Sequence, residues 1–314
     1  MTDIVSISIA EGTKYFAFAF EHGFSIYSIN PLQLKFKKDF INFTLTCIST
    51  NFDGTQTAFA VKSLNPNSSI QKVYIWNSFY DEMDKELEFT KIVRCVCIRK
   101  TVLVVVLTDS VCLYDIQKKT LNGLEQITFQ NIAGACDVSF SEENPKFAIC
   151  GLTPGAIQIF TKNENSIPIL VSAHLHPITC IKFSPDCKMI ATASEQGTLI
   201  RVFDVINGAI LCVFRRGNLR SQILAMCFSP CNKKLLVLST KGTLHLFNTQ
   251  EKRSSEENPC KSCSKLHIET SPHVEMSFQD ENNAVVISSS GIVTRVKVDG
   301  LNLSFVMKQV ALSH

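Results

Sequence analysis

Phe183-Ser184-Pro185 recurs 45 residues later as Phe228-Ser229-Pro230, and in the same register Gly197-Thr198-Leu199 recurs as Gly242-Thr243-Leu244. A weaker copy begins at Phe140-Ser141, with Gly155-Ala156-Ile157-Gln158-Ile159-Phe160 in the matching place. Between these marks lie short β-branched and aromatic runs broken by Gly, Asn, Asp, Ser and Pro, a strand-and-turn pattern with little helical periodicity. A period of about 40–45 residues carrying three or four strands is the signature of a propeller blade. Over 314 residues that period makes about seven units. The expected fold is therefore all-β: a seven-bladed β-propeller of four-stranded antiparallel blades, one closed ring spanning residues 1–314.

The remaining blades are placed around this pair. The first covers about 3–38, with strands at Ile4–Ser8, Tyr15–Phe20 and Phe24–Ile29. The second covers about 43–90 through Ala58–Val61 and Val73–Trp76, with a long polar turn at 63–69. The third, about 91–130, uses Val102–Leu107 and Val111–Asp115; the fourth and fifth span about 135–171 and 176–215. The sixth starts near Gln222, and its third strand ends at Phe247. Residues 249–265 then hold almost nothing apolar and are expected to form an exposed, mobile loop before the sixth blade's last strand. The seventh blade takes about 272–309.

With 45% apolar residues the chain buries a substantial core, and the small net charge of +3 argues against a general nucleic-acid binder. Thirteen cysteines, most of them inside apolar runs, read as buried free thiols of a reducing compartment, and the odd count opposes a complete disulfide framework. The longest apolar run, Val102–Leu107, is far short of the roughly 20 residues that span a bilayer. A cytoplasmic protein, peripheral to membranes at most, is expected.

Anion recognition must then come from local placement of charge. Arg215 and Arg216 close a strand-like run, Ala209 to Phe214, and Gly217 follows. Neighbours on a strand point to opposite sides, so the two guanidinium groups are expected to serve two clefts. Upstream lie His174, Thr192, Ser194 and Thr198; downstream lie Ser239, Thr240, Thr243 and His245. Hydroxyls, imidazole and guanidinium are the donors that hold a phosphate monoester, and the guanidinium fork suits it best.

Phe214-Arg215-Arg216-Gly217, together with Ala173-His174, the run from Ala191 to Asp204 and Lys241-Gly242-Thr243-Leu244-His245-Leu246-Phe247, resembles the PROPPIN family, WD-repeat-like propellers of autophagy that bind phosphoinositides. Further similarity lies at 23–27, 31–32 and 72–77. The resemblance implies two rim pockets for phosphatidylinositol 3-phosphate or phosphatidylinositol 3,5-bisphosphate. The first would use His174, Ser194, Thr198 and Arg215, supported by Thr192 and Arg201. The second would use Arg216, Ser239 and Thr243, supported by Thr240, Lys241 and His245. It further implies phosphoinositide-containing membranes and autophagy proteins, of the lipid-transfer or conjugation machinery, as partners. The protein would be a monomer working on autophagosomal-precursor, endosomal or vacuolar and lysosomal membranes. Two departures stand out. The stretch 249–265 has no aromatic residue to enter a bilayer, though Lys252, Arg253, Lys261 and Lys265 can meet acidic headgroups. In the first blade, Ala10-Glu11-Gly12 replaces the Asn-Gln-Asp of members that recruit the lipid-transfer protein.

Other chemistries find little support. Cys260, Cys263 and His267 lack a fourth ligand for a structural zinc site, so no metal or cofactor is expected. No Gly-rich phosphate loop, nucleophile elbow or His-Glu-x-x-His motif points to an enzyme, and Asp137, Asp186 and Asp204 are scattered at turn-like positions. The alternative is an ordinary WD-repeat interaction scaffold whose arginine pair meets acidic peptides.

Overall fold

The computed structural model describes residues 3–62, 70–121, 125–139, 144–162, 167–251 and 257–312. The turn expected at 63–69, the Phe140-Ser141 marker, and Lys252 and Arg253 lie outside them. Seven antiparallel meanders of four strands follow one another along the chain, each pairing its strands in sequence order. We number them sheets one to seven: residues 4–39, 44–89, 93–121, 136–172, 178–215, 223–267 and 274–310. This is the element pattern of a seven-bladed propeller. The chain divides into two compact units, 1–126 with 287–293 and 309–314, and 127–286 with 294–308. Every residue of the expected site belongs to the second unit.

The repeated Phe-Ser-Pro is a turn device. Phe183 and Phe228 end the first strands of sheets five and six and are buried. The next residue, Ser184, accepts from the Met189 amide at 2.9 Å through Oγ, and its own amide donates to the Met189 carbonyl at 2.9 Å. Ser229 binds Lys234 in the same two ways, at 3.1 and 2.9 Å. Sheet four uses Ser139, whose Oγ accepts from the Lys146 amide at 2.8 Å. Ser139 lies 45 residues before Ser184, so among the described residues the equivalent turn serine of sheet four is Ser139. Asp137 is also relocated from a turn to a strand: it is buried, and its carboxylate accepts from the Phe183 amide at 2.8 Å and from Lys182 Nζ at 3.2 Å. That stitches the first strands of sheets four and five together.

Between sheets five and six, Ile200, Val202 and Phe214 pack with Met226, Val237 and Phe247. Between sheets four and five, Phe203 packs with Ile157, Ile159 and Ile181. The third strand of sheet five, Leu199–Asp204, therefore sends Ile200 and Val202 toward sheet six. Arg201 and Phe203 go toward sheet four, as period-two alternation requires.

The stretch expected to be a loop, 249–265, is shorter than that. Ser264–His267 already forms the last strand of sheet six. Cys260–Lys261 returns to pair in parallel with Phe214–Arg215, adding a fifth strand to sheet five. An outer strand exposes a row of unpaired amides and carbonyls, and here part of the polar stretch covers them.

Gly197 marks where this architecture is tightest. Its φ is +58°, and a Cβ there would stand 1.9 Å from the Ser221 carbonyl oxygen; a Cβ on Gly217 meets nothing within 4 Å. Gly197→Ala is expected to destabilise the protein by more than about 1 kcal/mol and Gly217→Ala by less than about 0.5 kcal/mol, read from urea unfolding midpoints.

Candidate functional site

The fourth strand of sheet five, Ile210–Arg215, fixes where the two arginines go. Phe214 is fully buried and stacks on Phe247 of sheet six, ring centroids 4.8 Å apart and 26° between planes. Arg215 must then face the other way, into the cleft toward sheet four. Arg216, just past the strand, turns back to the sheet-six side. Its Nε donates to the Gly197 carbonyl at 2.8 Å, and one terminal nitrogen donates to the Leu219 carbonyl at 2.6 Å and the Ser221 carbonyl at 3.4 Å. It is 7% exposed, and burial holds its pKa below the usual arginine value. Arg215 remains half-buried.

In the cleft between sheets four and five, Arg201 Nη1 lies 2.7 Å from His174 Nδ1. A guanidinium only donates, so Nδ1 accepts and the ring hydrogen sits on Nε2. Nε2–H donates to Thr192 Oγ1 at 3.0 Å, and that hydroxyl donates to the Arg201 carbonyl at 3.3 Å. Burial, and next the Arg201 charge, push the His174 pKa down to about 3. The imidazole is neutral and both its nitrogens are committed within the protein, so His174 orients Arg201 instead of carrying charge. Ser194 is buried at the end of the second strand, its carbonyl closing the turn onto the Gly197 amide at 2.9 Å. The Thr198 carbonyl accepts from the Arg216 amide at 2.9 Å.

The cleft between sheets five and six is built from Arg216, His245, Ser239 and Thr243. His245 is buried, lies parallel to the Phe247 ring at 6.1 Å and places Nδ1 3.3 Å from Ser262 Oγ. Burial, then the Lys265 and Arg216 charges, push its pKa down to about 4. Ser239 is fully buried and donates to the Thr243 carbonyl at 3.4 Å. Ser288 makes the same bond to the Ile292 carbonyl at 3.3 Å, so this serine is a turn device of the repeat. Thr243, two residues before His245 on one strand, shares its face. Thr240 Oγ1 lies 2.9 Å from Ser221 Oγ, while Lys241 is exposed.

One correspondence is hidden from a 45-residue count. In the ladders, Thr192 pairs with Arg201 in sheet five and Val237 with His245 in sheet six. Arg201 and His245 are therefore equivalent, although 44 residues separate them, because the turn of sheet five holds one residue more. Each cleft thus joins one imidazole and one guanidinium in exchanged places: His174 with Arg201, and Arg216 with His245. Among the described residues no group of three or more His, Cys, Asp or Glu side chains could hold a metal ion, and no helix is long and apolar enough to cross a membrane.

The sequence profile of the PROPPIN family matches residues 85–268, more than half the chain and the whole of both clefts. This chain belongs to the PROPPIN family. Autophagy-related protein 18e of Arabidopsis thaliana is 27% identical to this PROPPIN over 320 residues, covering 94% of this chain and 84% of that protein. SVP1-like protein 2 of Pichia angusta is 29% identical over 250 residues, covering 78% and 69%. Among solved structures, Kluyveromyces lactis Hsv2 superposes with a TM-score of 0.82 at 19% identity, covering 99% of this chain and 100% of that one. KlAtg21, solved in complex with the coiled coil of AgAtg16, superposes with a TM-score of 0.82 at 20% identity, covering 98% and 99%. These likenesses establish the seven-bladed β-propeller. PROPPINs are phosphoinositide-binding, non-enzymatic propellers of autophagy that associate peripherally with membranes.

The two neutral imidazoles make this PROPPIN sensitive to acid. An unfolded histidine titrates near pH 6.5, whereas His174 in the fold titrates near 3. Below pH 6.5 the unfolded chain takes up a proton that the folded chain refuses, so stability is full above that pH and falls as pH drops toward 3. Between pH 7.5 and 5 the His174 share of the loss is expected to be about 2 kcal/mol. Urea unfolding at both pH values should show His174→Gln losing that much less than wild type; equal losses would contradict a neutral His174.

Proposed function

We propose that this PROPPIN binds phosphatidylinositol 3-phosphate, phosphatidylinositol 3,5-bisphosphate or both, one headgroup in each cleft, and recruits proteins to autophagic or endosomal membranes. The observation that carries this reading is the divergence of Arg215 and Arg216 around buried Phe214 into two clefts, each supplying an imidazole–guanidinium couple. Arg215 and Arg201 are the cations of the first cleft and Arg216 of the second. Ser194, Thr198 and Thr243 supply polar contacts, Ser239 holds the turn that presents Thr243, and Thr192, Thr240, Lys241 and His245 lie around them. His174 acts through Arg201.

Charge-assisted hydrogen bonds to phosphate give each cleft its selectivity. Two clefts engaging one membrane raise avidity about 10²–10⁴-fold over a single one. The protein is a monomer, a single propeller over 1–314, cytoplasmic and peripheral on autophagosomal-precursor, endosomal or vacuolar membranes. The coiled coil bound by KlAtg21 suggests the kind of autophagy protein it brings there.

Flotation with phosphatidylcholine vesicles, plain or containing either phosphoinositide, tests the assignment. Wild type should float only with phosphoinositide. Arg215→Thr/Arg216→Thr should abolish flotation while circular dichroism stays that of a β-propeller. Each single variant should retain weak binding, reduced by about 10²-fold through lost avidity. Undiminished flotation of the folded double variant would refute the assignment of the arginine pair, and wild type that floats with neither phosphoinositide would favour the WD-repeat scaffold.

A further inference from the structure

Lys261 stands out among the basic residues of the stretch between the third and fourth strands of sheet six. It leaves its own sheet and pairs with Arg215 in the parallel ladder that Cys260–Lys261 makes with Phe214–Arg215. Residues paired across a ladder project to the same face of the sheet, with backbones about 4.8 Å apart. A second observation agrees with that orientation. Cys260, the partner of Phe214, packs with Phe214 in the apolar layer facing sheet six. Lys261 must therefore project with Arg215, on the face of the first cleft. The two remain accessible, Arg215 half-buried and Lys261 exposed.

Like charges directly opposite each other on a sheet destabilise it. By contrast Lys72, on a strand of sheet two, is matched by Glu86 and Glu88 of the neighbouring strand. Among the described residues, neither Arg215 nor Lys261 forms an ion pair with a carboxylate. The parallel strand thus holds two cations side by side, with no carboxylate paired to either among the described residues, on the face of the cleft that contains Arg201. One phosphate monoester is satisfied by the arginines. The added ammonium, a compact charge with three donors, matches a second phosphate on the same ligand.

We propose that Lys261, delivered to sheet five by strand addition, makes the first cleft selective for an inositol headgroup bearing two phosphates besides the phosphodiester over one bearing a single phosphate. The proposal rests on the reading of the clefts as headgroup sites. Lys261 and Arg215 bracket the second phosphate, and the Phe214–Cys260 contact sets their spacing. Selectivity in this cleft therefore depends on a residue that the chain supplies from the stretch between the third and fourth strands of sheet six.

Flotation of wild type, Lys261→Ala and Lys261→Arg with phosphatidylcholine vesicles tests this. The vesicles carry phosphatidylinositol 3-phosphate or phosphatidylinositol 3,5-bisphosphate at equal total lipid charge. Lys297→Ala, an exposed lysine of sheet seven, controls for the lost unit of net charge. Lys261→Ala should weaken binding to the bisphosphate vesicles about tenfold while changing monophosphate binding less than about twofold. Lys261→Arg should restore most of the difference, and Lys297→Ala should alter neither. Calorimetric titration with soluble inositol 1,3,5-trisphosphate should show the same dependence on Lys261. Equal losses on both vesicle types would mean general attraction to an anionic surface and would overturn the proposal. So would a Lys261 effect seen on vesicles but absent for the soluble headgroup. Wild type that floats with neither phosphoinositide would overturn the headgroup reading itself, and this inference with it.

Discussion

Phe214 sits between two strands' worth of apolar side chains, stacked on Phe247 and closed off from solvent. Burying an aromatic ring of this size contributes several kcal/mol. Putting an arginine in its place would bury an unpaired charge at far greater cost. The strand therefore has one acceptable register. With Phe214 inward toward sheet six, Arg215 has no choice but the sheet-four cleft. The chain's next turn, pinned by the Arg216 amide on the Thr198 carbonyl, brings Arg216 back to the other side. Two guanidinium groups on adjacent residues turn to different clefts because one ring between the sheets cannot be displaced.

Around that anchor, the clefts divide labour between charge and orientation. In both, the imidazole is kept neutral by burial and next by neighbouring cations, Arg201 beside His174 and Lys265 then Arg216 beside His245. The cation available to a phosphate is then the arginine, whose charge persists at any physiological pH. The histidine contributes rigidity. Through His174, the Thr192 hydroxyl and the Arg201 guanidinium form one closed circuit of hydrogen bonds. A guanidinium held in this way loses less rotamer freedom when it binds a ligand, which is the physical content of pre-organisation. Arg216 is held by three backbone carbonyls instead, a different route to the same end.

The polar stretch of sheet six contributes in an unexpected way. It has no aromatic residue and so lacks the side chains that enter bilayers most readily. Its end, however, is a strand of sheet five in all but sequence position. An exposed outer strand invites addition, and covering it from within the chain both protects that edge and places Lys261 next to Arg215.

Much of this was legible beforehand, for identifiable reasons. Strand alternation and a 45-residue period are local properties that composition writes directly into the chain, so the seven sheets and the opposed arginines follow from them. The hydroxyl residues could be gathered for the same reason, since Ser194 and Thr198 recur 45 residues later as Ser239 and Thr243; the arginine pair, which occurs once, was singled out by its place at a strand end. Other features depended on distances between residues remote in sequence. A ladder shifted by one residue made Arg201 and His245 counterparts. The ring nitrogens of His174 were taken up by Thr192 and Arg201, and Ser239 by its own turn. The stretch once expected to be loose to residue 265 paired with another sheet. Such pairings are decided by which backbone groups and charges are left unmatched once the sheets have packed, and that remainder exists only in three dimensions.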